Sequence, residues 1–193
     1  MRKFERIAEP GFLVDKWELW GMEWEDRRAK NPAAQFHWHV IDGEKVNQKL
    51  LPRLKAQTQA HCSFCDAFPV APPSIETIEH FRPKTTFPKD AYRWTNLYFC
   101  CMHCQQKGEK FDEVLLCPDA LDYEFDKYFR WDYTTGELKL NELSSIEDQH
   151  RATVSIRLYR LNQGHPMLRR LAMKNRPVDP NVLSDELAYR HYV

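Results

Sequence analysis

The sequence carries no net charge: 28 Lys and Arg balance 28 Asp and Glu among 193 residues. No overall positive field therefore draws the chain toward a polyanion, so any nucleic-acid contact must come from a local arrangement of cations. Long apolar runs are missing as well. No stretch approaches the ~20 residues of a membrane-spanning helix, and no membrane association is expected. The opening MRKFERIAEPGF lacks the apolar core of a secretory signal, so a cytosolic protein is expected. Internal repeats and low-complexity segments are absent too.

Aromatic residues are plentiful. Tryptophans gather in DKWELWGMEW and again in FHWHV, a composition that excludes extensive disorder. The length suits one compact α+β unit. Its segments are expected to be a helical stretch over 1–60, a central block over 61–118, and a hairpin with helices over 119–193. Asp15 is placed to cap a first helix in which Trp17, Trp20 and Trp24 recur at helical spacing as core residues. EKVNQKLLPRLKAQTQAHC predicts a second helix, interrupted at Pro52.

Proline-rich segments then break the helical pattern, and IETIEHF and WTNLYFCC are the best strand candidates. KYFRWDYTTGELKL predicts a second hairpin turning at TTG. SIEDQHRATVSIRLYRLN predicts a helix capped by Ser144 or Ser145, and HPMLRRLAMKNR another that Pro177 and Pro180 stop. The run RLYRLNQGHPMLRRLAMKNR is basic, and 113–132 acidic. That asymmetry builds either a basic face or merely solvated amphipathic helices.

In a reducing compartment, cysteines spaced Cys-x-x-Cys bind metal or do redox chemistry more often than they form disulfides. Cys62-Ser-Phe-Cys65 and Cys101-Met-His-Cys104 are two such knuckles, and together they offer four thiolates to one tetrahedral Zn²⁺. A buried or redox-active cysteine set is the alternative. With four thiolates the zinc is structural, because no position stays open for water or substrate. It would staple the two ends of the segment between the knuckles. Cys100 and Cys117 are expected to pack as ordinary buried cysteines.

Between and just after the knuckles lie Glu79, His80, Asn96, Gln105 and Lys107. An acid and a histidine on one strand, an asparagine opening the next and a polar residue opening a helix can converge on one hydrated divalent cation. Phosphodiester hydrolysis needs those parts: a base for water, a cation for the phosphate and leaving oxygen, and a scaffold that aligns them. Glu79 and His80 in isolation also fit a plain strand carrying a satisfied histidine.

At these residues the sequence resembles the HNH endonucleases, whose ββα-metal core is often stapled by a four-cysteine zinc. Within them it is most similar to the HNH subunit of Septu-type and retron-associated anti-phage systems. IEHFRPK, then RWTNLYFC, then CMHCQQKGEKF carry the likeness in order. The resemblance implies His80 as general base and Glu79 as a ligand for Mg²⁺ or Mn²⁺, with Asn96 orienting the loop or the imidazole. Gln105 stands where the family has an asparagine or histidine as second cation ligand, offering a carbonyl oxygen on a longer arm. His103 is an alternative donor inside the knuckle. Arg82, Lys84 and Lys107 would contact DNA phosphates. An ATPase partner is implied, and no small-molecule substrate is expected. Two other functions fit the same residues: a catalytically degenerate zinc-stabilised module that binds DNA or a partner, and a structural protein that never touches nucleic acid.

Overall fold

The computed structural model describes residues 1–70, 76–173 and 187–190. A single helical turn, α1 (Gly11–Val14), leads into α2 (Trp17–Lys30), along which Trp20 and Trp24 are buried and Trp17 half-buried. Asp15 does not cap α2. Its backbone N–H bonds back to the Leu13 carbonyl and ends α1, and Lys16, which precedes α2, makes no side-chain cap.

The first sixty residues are less helical than their sequence predicts. Strands β1 (Val40–Ile41) and β2 (Glu44–Lys45) pair antiparallel around Asp42 and Gly43, whose φ angles are 52° and 80°. Two consecutive positive φ values are what a tight Asp-Gly hairpin turn requires. Helix α3 (Val46–Gln57) then runs straight through Pro52. A proline frees the carbonyl four residues back, but Gln48 and Pro52 both face solvent, where water is able to satisfy it. The buried face of α3, made of Val46, Leu50 and Leu54, is untouched.

The central hairpin pairs β3 (Glu76–His80) with β4 (Leu97–Cys101) antiparallel, with Glu79 opposite Tyr98 and His80 opposite Leu97. Helix α4 (Met102–Gln105) follows β4 directly, so strand, strand and short helix come in order. The long connection between the strands is folded rather than open, with 3₁₀ turns at Pro88–Tyr92 and Trp94–Asn96. Helix α2 braces it from outside. A Cβ at Gly21 would lie 2.2 Å from the Lys89 carbonyl oxygen, so only glycine permits this approach. Trp24 Nε1 donates to the Lys84 carbonyl at 2.7 Å.

Beyond the hairpin, α5 (Phe125–Tyr128) leads into β5 (Phe129–Trp131), which pairs antiparallel with β6 (Leu138–Leu140) around the expected turn. Helix α6 (Ile146–Leu158) is capped by Ser145, whose Oγ accepts from the Asp148 amide at 3.1 Å. Helix α7 (His165–Met173) comes next; Pro177 and Pro180 lie outside the described residues. Helices with small antiparallel sheets make the chain α+β. One cluster of buried side chains, from Leu13 and Trp24 through Phe64, Tyr98 and Phe99 to Tyr159 and Tyr189, forms its core. No helix among the described residues is long and apolar enough to cross a membrane.

Candidate active site

The cysteines come together from the turn after α3 and from the junction of β4 with α4. Cys62, Cys65, Cys101 and Cys104 are all buried, and their sulfurs lie within 4.8 Å of one another. Cys65 Sγ and Cys101 Sγ are 3.7 Å apart. A tetrahedron with Zn–S bonds of ~2.3 Å has edges of about 3.8 Å, so the spacing fits such an ion. The Cys101 amide points at Cys62 Sγ at 3.4 Å, and the Ser63 amide donates to the Phe99 carbonyl at 3.0 Å, tying the first knuckle to β4. The thiols of Cys104, Cys62 and Cys65 pull Cys101 down toward thiolate, while burial pushes Cys104 up. This donor set can hold a metal ion, and a dication would complete the deprotonation.

Cys100 is absent from the cluster; its sulfur packs 3.1 Å from Thr77 Oγ1. Cys117 is half-buried between the Tyr98 hydroxyl at 2.8 Å and Asp119 at 3.0 Å.

The two ends of the stapled segment frame a second feature. Glu79, His80 and Gln105 share a cleft of about 210 Å³ with Phe36, Trp38, Lys84 and Glu109. His80 Nε2 donates to the Ala91 carbonyl at 2.9 Å. A carbonyl only accepts, so Nε2 carries the hydrogen and the neutral ring keeps its lone pair on Nδ1. Burial, and then the charge of Lys84, hold His80 down to about 3, so the ring is neutral at ordinary pH. Burial acts oppositely on Glu79, pushing its carboxyl up to about 7 against the pull of Lys107.

Asn96 works on the loop rather than on the imidazole. Its Oδ1 accepts from the Arg82 amide at 2.7 Å, and its Nδ2 donates to the carbonyls of Arg82 at 3.0 Å and Asp90 at 2.9 Å. Both ends of the connection are thereby pinned beside Ala91. Gln105 lines the cleft and donates Nε2 to the Ile78 carbonyl at 3.4 Å, which leaves its amide oxygen as a donor toward a cation. His103 turns away, bonding the Arg160 carbonyl at 3.0 Å.

Three cations expected at DNA fare differently. Lys84 lies on the cleft, 3.8 Å from Glu109. Arg82 does not line it; its guanidinium rests over Phe87 and pairs with Glu113 at 3.4 Å and Asp90 at 3.6 Å. Lys107 is 1% exposed and so does not present its charge to a phosphate. Its Nζ pairs with Glu79 Oε1 at 2.9 Å and donates to the carbonyls of His80, Phe81, Gly108 and Lys110. Lys107 is therefore an internal post, and a Lys-Gly in the turn after α4 gives no hint of that depth.

Sequence reasoning also missed Phe36, Trp38 and Glu109 as lining residues, and the Ala91 carbonyl as partner of His80. The aromatics were visible in FHWHV but indistinguishable from core. A main-chain acceptor leaves no signal in residue type.

Glu79, Gln105 and Glu109 offer oxygen donors of the kind that Mg²⁺ and Mn²⁺ take. One Glu79 oxygen is already engaged by Lys107, so the fit rests on the other. The chain matches no protein-family model and no curated protein.

Proposed function

We propose that the chain is a divalent-metal-dependent endonuclease of the HNH kind, hydrolysing phosphodiester bonds in DNA. One observation carries this reading: a histidine at the end of β3 is held through Nε2 by the Ala91 carbonyl, beside Glu79 and Gln105 in one cleft. His80 Nδ1 takes the proton from the attacking water. Glu79 and Gln105 would hold Mg²⁺ or Mn²⁺, which when bound neutralises charge on the phosphate and leaving oxygen. Lys84 is the cleft cation placed to meet a phosphate. Asn96 keeps the Ala91 loop in position, and the four cysteines would hold a structural zinc, which when bound fixes both ends of the hairpin segment.

The Lys107–Glu79 pair favours a second reading. A buried ammonium already neutralises the carboxylate that should attract the cation. In that reading the site is degenerate, and the module binds DNA or a protein without cutting.

Plasmid cleavage by zinc-loaded protein with Mg²⁺ or Mn²⁺ separates the two. A general base contributes about 10²–10⁴-fold, so His80→Ala should lower the rate by that factor. DNA binding without cleavage, unchanged in His80→Ala, would establish the degenerate module instead. Only the sequence resemblance supports an ATPase partner and a role in anti-phage defence, and co-purification with the product of a neighbouring gene tests both.

A further inference from the structure

His80 is held on more sides than a general base requires. Trp38 lies nearly parallel to its ring, with centroids 5.6 Å apart and 19° between planes. Phe36 meets the same ring edge-on at 5.5 Å and 84°. Neither residue belongs to the β3–β4–α4 unit; both come from the stretch between α2 and β1. That stretch is itself fixed. The Tyr92 hydroxyl donates to the His37 carbonyl, the Val46 amide donates to the His39 carbonyl at 2.8 Å, and His39 stacks on Trp20 at 4.6 Å.

We propose that Trp38 is a positioning residue for His80, stacking on the imidazole so that Nε2–H stays on the Ala91 carbonyl and Nδ1 remains the free lone pair. The proposal rests on the nuclease reading for its consequence, though not for its geometry. The hydrogen bond to Ala91 fixes one point of the ring and leaves rotation about the bond joining the ring to Cβ as the route of escape. Rotation swings the ring out of its plane, into Trp38 on one face and against Phe36 at its edge. A core tryptophan would be enclosed, yet Trp38 is only half-buried and lines the cleft beside Glu79 and Gln105. Aromatic contacts of this kind are strong enough to favour one ring orientation by roughly tenfold.

The test uses the full zinc-loaded chain with ¹⁵N-labelled histidine, in wild type, Trp38→Ala and Trp38→Phe. The wild type should show His80 as a single Nε2–H tautomer. Trp38→Ala should show averaged Nδ1 and Nε2 signals and a ten- to hundredfold loss of kcat with KM little changed, since misplacing a catalytic group by about 1 Å costs that order. Trp38→Phe keeps a stacking face and should recover most of both. Zinc content and a cooperative thermal transition identify any variant that has failed to fold. Trp38→Leu, which keeps apolar bulk without a flat stacking face, then replaces Trp38→Ala, with averaged signals upholding the proposal and a single Nε2–H tautomer overturning it. An unchanged tautomer in folded Trp38→Ala overturns the proposal. Averaged signals in that variant, with no cleavage even by wild type, uphold the positioning and remove the nuclease reading.

Discussion

At the scale of single residues, Glu79 and His80 pull stability in opposite directions with pH. Glu79 has its pKa raised from 4.5 to about 7, so its contribution is full at low pH and lost as pH rises through 7. His80 is held near 3 from an ordinary 6.5, so its contribution is full above 6.5 and lost as pH falls toward 3. Each pH unit is worth about 1.4 kcal/mol for either group, so the two slopes cancel between pH 4.5 and 6.5. Protein without added Mg²⁺ or Mn²⁺ should hold a flat Tm across that window. In Glu79→Gln one slope is gone, and Tm should fall as the pH drops below 6.5; a variant profile as flat as wild type would refute a buried, neutral His80. Asn96 gives a second prediction. Asn96→Ala loses three hydrogen bonds to the loop, at about 1 kcal/mol each, and should lower stability in urea by about 2–3 kcal/mol. Asn96→Asp keeps an acceptor for the Arg82 amide but turns a carboxylate toward two carbonyls, and should do no better. These roles were partly legible in the sequence, because acid, histidine and asparagine announce polar chemistry by type. Lys107 was misread because residue type does not reveal whether a lysine's charge ends in solvent or among carbonyls.

At the scale of elements, the legible features were those with a strong local signal: the tryptophan face of α2, the short apolar and aromatic runs of β3 and β4 between proline-rich segments, and Ser145 before α6. The features that escaped are set by two or three residues against tertiary context. Asp42-Gly43 is a strong hairpin signal, but the strands it joins have two residues each and offer no alternation. Pro52 looked like a helix stop because a proline's cost depends on whether the freed carbonyl meets water, which the sequence does not show. Gly21 is the sharpest case of context. Replacing a glycine inside a helix by alanine ordinarily gains about 0.5–1 kcal/mol. Here the added methyl would meet the Lys89 backbone at 2.2 Å, and α2 must back away from the loop that carries Ala91. Gly21→Ala should therefore destabilise by about 1–3 kcal/mol, as overpacking does, and loosen the His80 tautomer along with it. A variant more stable than wild type in urea would show that α2 does not brace the loop.

At the scale of the whole molecule, the cysteine cluster joins parts that the chain itself leaves far apart. The first knuckle comes after α3, the second closes β4, and residues 187–190 dock on the first. Asp66, beside Cys65, accepts from the Tyr189 and Arg190 amides, through its carbonyl and carboxylate respectively, and pairs with the Arg190 guanidinium at 2.7 Å. His61 Nε2 contacts the Leu187 carbonyl at 2.9 Å. Knuckle spacing made the four-cysteine cluster legible, but no local pattern foretold that a segment more than a hundred residues after the first knuckle would clamp it. Magnitudes decide how far the fold survives loss of the metal. Structural zinc sites bind with about 10–16 kcal/mol at neutral pH, whereas whole domains are stable by about 5–15 kcal/mol. The free thiols pack as small apolar groups and recover only part of that difference. Elemental analysis should find one zinc per chain, and Cys62→Ser should lose it. Chelation should abolish the cooperative thermal transition and expose the tryptophans, with α2 released as well as the knuckles because its buried face packs on the stapled loop. Arg190→Ala, which strands Asp66 as a buried charge, should cost about 3–5 kcal/mol and quicken zinc loss to a chelator. A metal-free protein melting within a few degrees of the zinc form would mean that the aromatic core, rather than the cluster, holds His80 and Glu79 in place.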